Sequence, residues 1–259
     1  MLRNGNFMEG WQDMPPAPGF LINQQPNGWH LEWLEPGQPL FDDPNVISKG
    51  VPECVHKLHT QLPSHEQLGA PNALILDGDT TYKIFNATTP FGASLSQTVE
   101  GLQPGTEATL TVPIQVHLHG ETDAFGAESG AWVNDEGHWV NGFAMGDRQW
   151  FRHSVSFIVP EDGRAEIVIR VKSKWFRPKD FFFDGITLEA KKATGTPIVD
   201  PGKPPVDTGT TPDPTTVSPG EVKTVHIQLP PGLSLRQGTC DTPGTIELNI
   251  PPGVEIKVV

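Results

Sequence analysis

The chain has 259 residues, a formal charge of −13 and a pI near 5.0, so it lacks the basic excess that a nucleic-acid backbone or an anionic membrane surface requires. Gly and Pro number 27 each while hydrophobic residues make up only 36%, a balance that favours short strands joined by turns over helices. No apolar run reaches the ~20 residues that span a bilayer, and the opening MLRNGNFMEGW contains no stretch of signal-peptide type.

In chain order, residues 2–190 read as short alternating runs separated by Gly, Pro, Asn and Asp clusters. The clearest run is TLTVPIQVHLH at 109–119, in which Leu110, Val112, Ile114, Val116 and Leu118 share one side and Thr111, Gln115, His117 and His119 the other. SLSQTVEGL, HSVSFIVP and EIVIRVKSK alternate in the same way, and no long helical period appears. The expected class is all-β, a two-sheet sandwich.

Residues 191–221, KKATGTPIVDPGKPPVDTGTTPDPTTVSPGE, are poor in bulky apolar groups and dense in Pro, Thr, Gly and Asp, the composition of a semi-extended linker. Residues 222–259 then carry an internal repeat: TVHIQLPPGLSL at 224–235 aligns without gaps on TIELNIPPGVEI at 245–256. Each copy is a short strand, a Pro-Pro-Gly turn and a second short strand. So small a β unit buries too little surface to be stable alone, so it is expected to dock on its own sandwich or on another subunit of an oligomer or larger assembly. Cys54 and Cys240 do not have metal-type spacing; a disulfide fastening the tail and two separate buried thiols both stay open.

Three pieces of the first domain point to a family. NGNFMEGW at 4–11 with GWHLEW at 28–33, SQTVEGLQPGTEATLTV at 96–112, and FFFDGITLEA at 181–190 resemble, in order and spacing, the galactose-binding-domain-like jelly-roll carbohydrate-binding modules appended to xylanases and cellulases. The resemblance covers residues 1–190 and implies a jelly roll, a glycan or polysaccharide partner and a structural calcium held between the first and last strands. The residues it suggests for Ca2+ are Asn6, Glu9 and Asp184, although the acid expected directly after the phenylalanine of the opening motif is Met8 here. Strand alternation puts Asp184 on one side with Phe182, Ile186 and Leu188, a core-like side on which a carboxylate needs compensation. Calcium, with six to eight oxygen ligands, and backbone N–H donors at the rim of the sandwich are both suitable partners.

A glycan groove needs aromatic planes for the apolar faces of sugar rings and a few polar groups for hydroxyls. The candidates are Gln115, His117 and His119 on the polar side of the long strand, with Trp132, Trp139, Trp150, Arg170, Lys172 and Trp175. With seven tryptophans in a β-sandwich, several must be core. His117 and His119 also form an H-x-H pair able to share a transition metal, but the downstream glutamate of the cupin pattern is missing, since Glu121 comes too soon. Acid pairs such as Asp42 with Asp43 sit in turn contexts, and no nucleophile elbow, phosphate loop or H-E-x-x-H motif occurs. The expectation is a non-catalytic protein at an extracellular or virion surface. Two functions fit: a glycan-binding module displayed through residues 222–259, or a structural decoration protein of a phage particle or surface layer.

Overall fold

The computed structural model describes residues 1–15 and 22–190. The expected linker, the Pro-Pro-Gly tail and Cys240 lie outside the described residues; Cys54 is a buried free thiol. In chain order the strands are β1 (Trp11–Asp13), β2 (Gln24–Pro26), β3 (His30–Trp33), β4 (Pro39–Leu40), β5 (Asp43–Ile47), β6 (Glu53–Leu58), β7 (Thr80–Asn86) and β8 (Phe91–Val99). They continue with β9 (Glu107–His117), β10 (Ala127–Val133), β11 (Glu136–Asn141), β12 (Trp150–Ile158), β13 (Ala165–Ser173), β14 (Lys179–Phe183) and β15 (Thr187–Ala190). No helix among the described residues is long and apolar enough to cross a membrane.

Two antiparallel sheets carry the fold. One has five strands in the order β11-β10-β13-β8-β3, and the other six, in the order β12-β9-β14-β7-β6 with β15 added beside β9. From β7 to β10, and again from β12 to β14, each successive strand enters the opposite sheet, which makes the sandwich a jelly roll. The inward residues of β9, Leu110, Val112, Ile114 and Val116, meet Ile167, Ile169 and Val171 of β13 in one buried core. Phe91 and Phe181 touch edge to face across the two sheets at 6.2 Å. Each such side chain contributes about 1.5–3 kcal/mol by leaving water.

The three consecutive phenylalanines divide between two cores. Phe181 and Phe183 enter the sandwich, whereas Phe182 points outward into a second cluster with Leu62, Leu74 and Ile75. Leu62, Leu74 and Ile75 belong to residues 59–79, a connection that folds over the outer face of the six-stranded sheet. Its turns are closed by backbone bonds such as Leu74 N to Glu66 O at 2.8 Å. Asp184 lies beneath the same connection, where its Oδ2 accepts from the N–H groups of Leu76 (2.6 Å) and Asp77 (2.9 Å). The expectation that Asp184 and Ile186 share one side is therefore corrected. The chain turns at Gly185, with φ of 68°, and Ile186 joins the sandwich core while Asp184 does not.

The opening NGNFMEG forms a tight loop rather than a strand. Asn4 Oδ1 accepts from Glu9 N at 2.9 Å, Glu9 Oε1 accepts from Asn4 N at 2.9 Å, and Phe7 is driven into the core against Tyr82. The carbonyl of Gly5 accepts from Ile186 N at 2.8 Å, joining the start of the domain to its end. A Cβ on Gly5 would lie 2.1 Å from the Ile186 oxygen, so only glycine admits this approach.

Candidate functional site

The outer face of the five-stranded sheet holds an aromatic cluster; Leu34 and residues 41–43 cover its Gly92, Lys172 and Glu128 end, and the rest is open. Strand register sets its rows. One runs Trp139, Gly130, Arg170, Ser94, Glu32 across β11, β10, β13, β8 and β3, and the next runs Gly137, Trp132, Val168, Ser96, His30. The Trp132 ring lies over the backbone of Gly130, where a Cβ would come within 2.4 Å of it. Trp132 and Trp139 meet edge to face at 5.0 Å, and Phe41 packs against Trp139 at 5.6 Å. The Arg170 guanidinium lies 5.2 Å from the centres of both the Phe41 and the Trp132 rings, and no carboxylate pairs with it among the described residues. Lys172 stands over the Trp139 ring at 4.1 Å and pairs with Asp42 (2.5 Å) and Glu128 (3.3 Å). Lys174 pairs with Asp43 and with Glu128. The hydrogen bond from Lys174 holds the Asp43 carboxyl below its ordinary range.

Phe41 also lines a pocket of about 430 Å³ beside this cluster, together with Trp33, Leu34, Glu32, Glu35, Gln38 and Ser94. The volume falls within the range of small-molecule sites. Trp33 packs against the sandwich core on the Leu31 side of β3 and reaches the pocket at its edge, where its Nε1 donates to Glu35 Oε1 at 3.0 Å; the acids and amide supply acceptors and donors.

The residues expected to line one groove are thus distributed over three places. Trp132, Trp139 and Arg170 come together on the five-stranded sheet. Trp175 stands apart in the loop after β13, 45% exposed, with its Nε1 donating to Asp123 Oδ2 at 2.9 Å. Gln115, His117 and Trp150 are on the opposite sheet, and for them the expectation of an open groove is corrected. Residues 59–79 cover that polar side: Gln115 is 3% exposed, His117 5%, and the Ala73 carbonyl accepts from Gln115 Nε2 and Trp150 Nε1. Burial and the nearby Arg148 push His117 down to about 4. His119, at the edge of this region, has a side chain one third exposed and bonds Asp180 Oδ2 at 2.5 Å. Burial pushes Asp180 up, but the Lys83 ammonium at 2.7 Å and His119 outweigh it and hold the carboxyl below its usual range.

Of the expected calcium ligands, Asp184 and Asn6 come to one region and Glu9 is engaged elsewhere. The Glu9 carboxylate is taken by Arg3 Nη2 and Asn4 N, both at 2.9 Å, and the Arg3 bond holds it below its ordinary range. Asp77 stands in its place: it accepts from Asn6 Nδ2 at 3.0 Å and is the carboxylate that acts on Asp184. Asp184 is fully buried, its Oδ1 has no hydrogen-bond partner, and burial raises it to about 7 against three backbone N–H groups. An orphaned buried carboxylate oxygen beside Asp77 and Asn6 is an oxygen donor set of the kind a hard cation takes.

No family model and no curated protein matches the chain. The fold is similar to that of solved carbohydrate-binding modules. TmCBM61 in complex with beta-1,4-galactotriose has 16% identity and a TM-score of 0.45, with 73% of this chain and 97% of that chain covered. A carbohydrate-binding module of the β-sandwich superfamily with promiscuous specificity has 13% identity and a TM-score of 0.39, over 71% and 60% of the two chains. The enzymatically active domain of bacteriophage CBA120 tailspike protein 4 has 13% identity and a TM-score of 0.40 over 64% of this chain, which spans only 20% of that one.

Phe41, Ser94 and Gly130 were not reached from the sequence. Gly130 and Gly137 flank Trp132 within a few residues, and that glycine-aromatic spacing is the one local sign of a ring lying flat on a sheet.

Proposed function

We propose that this chain is a non-catalytic carbohydrate-binding protein whose glycan lies on the outer face of the five-stranded sheet. The observation that carries the reading is the continuity, through Phe41, between the Trp132 and Trp139 cluster and the pocket holding Trp33, Glu32, Glu35 and Gln38. Aromatic surface takes the C–H faces of sugar rings, while carboxylate, amide and hydroxyl groups take the sugar hydroxyls. Small outward residues on β8, Ser94 and Ser96, keep the path between them shallow.

Polysaccharide-retardation gels and a glycan array test it. The wild-type chain binds at least one glycan, and Trp139→Ala abolishes the retardation without unfolding the domain. Absence of binding to every neutral and acidic glycan on the array overturns the reading.

Two further proposals stand beside it. Asp184, Asp77 and Asn6 hold a structural Ca2+ that ties residues 76–77 and the opening loop to the end of β14. Residues 222–259 attach the domain to other protein subunits, as their repeated strand and Pro-Pro-Gly pattern suggests. If this attachment is correct, the purified chain oligomerises or binds a particle, and removing residues 222–259 abolishes that association while glycan binding persists.

A further inference from the structure

We propose that His117, His119 and Asp180 form a binding site for a divalent transition-metal ion such as Zn2+ at the edge of the six-stranded sheet. Their donor atoms lie within 4.8 Å of one another. Two imidazole nitrogens and one carboxylate oxygen suit Zn2+ and its neighbours rather than the all-oxygen preference of Ca2+.

The strands assemble the group. His117 ends β9 and faces Asp180 directly across the β9–β14 register. His119 lies two residues further on, in a left-handed backbone conformation with φ of 51°, and its ring is turned onto Asp180. A histidine in that conformation is uncommon, and here it serves to bring a second imidazole to one carboxylate.

The hydrogen bonds around His117 leave a donor facing into the group. Gln115 gives its amide N–H to the Ala73 carbonyl, so its Oε1 is the atom turned to His117, at 2.9 Å from Nε2. An amide oxygen only accepts, so the ring proton sits on Nε2 and Nδ1 carries the bare lone pair. That lone pair faces Asp180 Oδ2 at 4.0 Å: two acceptors oppose each other in a side chain that is 5% exposed. Tetrahedral zinc bonds of about 2.0–2.1 Å set two ligand atoms about 3.3 Å apart, so an ion entering here draws Nδ1 and Oδ2 together by about 0.7 Å. Gln115 then acts as the outer partner that fixes a ligating imidazole, and Lys83, at 2.7 Å from Oδ1, anchors the far side of the carboxylate.

His119 completes the set. In the metal-free chain its Nε2 proton lies on the bond to Oδ2. As the metal enters, the ring changes tautomer so that Nδ1 carries the proton, and the freed Nε2 binds the ion with a modest rotation of the ring. Arg148 and Lys83 oppose a cation at this place, while Asp147 and Asp180 favour it. The exposed edge of His119 leaves a route of entry and a remaining position for water.

Visible absorption of the full chain with Co2+, and thermal melting with Zn2+, test the site. The wild type is expected to give a ligand-field band at one Co2+ per chain and a rise in Tm with micromolar Zn2+. His119→Ala, a partly exposed position, and Asp180→Asn should each weaken binding by about 10- to 100-fold. His119→Ala should leave metal-free melting nearly unchanged. Absence of the band and of the Tm rise in the wild type overturns the proposal. Equal Co2+ affinity in the wild type and His119→Ala does so as well, because it assigns the ion to other histidines such as His30 or His138.

Discussion

The two outer faces of the sandwich begin from the same kind of sequence and end as different surfaces. Both present the polar half of an alternating strand, with Gln115, His117 and Trp150 on one sheet and Glu32, Ser94, Arg170 and Trp139 on the other. On the six-stranded sheet, residues 59–79 fold back and bury that half under Leu62, Leu74 and Ile75. On the five-stranded sheet Phe41, Asp42 and Asp43 cover only the end with Gly92 and Lys172, and over the rest the rings pack against one another and against Arg170. A polar strand face is therefore a surface only when no connection returns across it, and strand alternation carries no information about the return.

The comparison can be broken at either face. The largest effect is expected from Phe182→Ala, which empties the second cluster and costs about 3–5 kcal/mol in urea unfolding while leaving glycan binding of the folded protein intact. A loss of glycan binding at full stability in that variant would reverse the roles of the two faces. Next comes Trp139→Ala, with a loss of at least about tenfold in glycan affinity, or about 1.4 kcal/mol, and a smaller change in unfolding. Titration calorimetry and urea melts on the same sample separate the two.

Melting against pH adds a further test through the buried titratable groups, of which the covered side holds His117 and Asp184. His117 on that side, and His56 and His153 elsewhere, are each lowered to about 4 by burial, so their contribution is present above about pH 6.5 and is lost as pH falls towards 4. Asp184, raised to about 7, works in the opposite sense: its contribution is full below about pH 4 and is lost as pH rises to 7. The three histidines outweigh it on the acid side, so Tm should fall below about pH 6.5. Above that, Asp184 leaves a shallow decline in metal-free protein, and added Ca2+ should raise Tm more above pH 7 than at pH 5. Equal melting with Ca2+ and with chelator removes the calcium proposal. The smallest effect is expected from Arg170→Lys, which keeps the charge but loses the planar stack between Phe41 and Trp132, at about 0.5–1 kcal/mol of glycan affinity.

The jelly roll was legible because β9, β12 and β13 keep a strict period of two, and their inward residues are those the sequence assigns to the core. The terminal FFFDG was half legible. Alternation separates Phe182 from Phe181 and Phe183, but the second core that receives Phe182 comes from residues more than a hundred positions earlier. The site divided in the same way. Trp132, Trp139, Arg170 and Lys172 were recognisable by type, whereas Phe41 is joined to them only through long-range packing. Glu9 was misread for a local reason: the reciprocal bonds with Asn4 use its carboxylate within the opening loop, and such loop chemistry has no periodic signature.

The bond from Ile186 N to the Gly5 carbonyl joins positions 181 residues apart and brings the two ends of the sandwich side by side. Closing so long a loop is entropically costly before its contacts form, so folding should be slow and should finish late in synthesis. The same adjacency makes the domain suited to relocation. A short peptide can connect its ends and new termini can be opened in an exposed turn, such as that at Asn134 and Asp135, giving a circular permutant with the same sandwich.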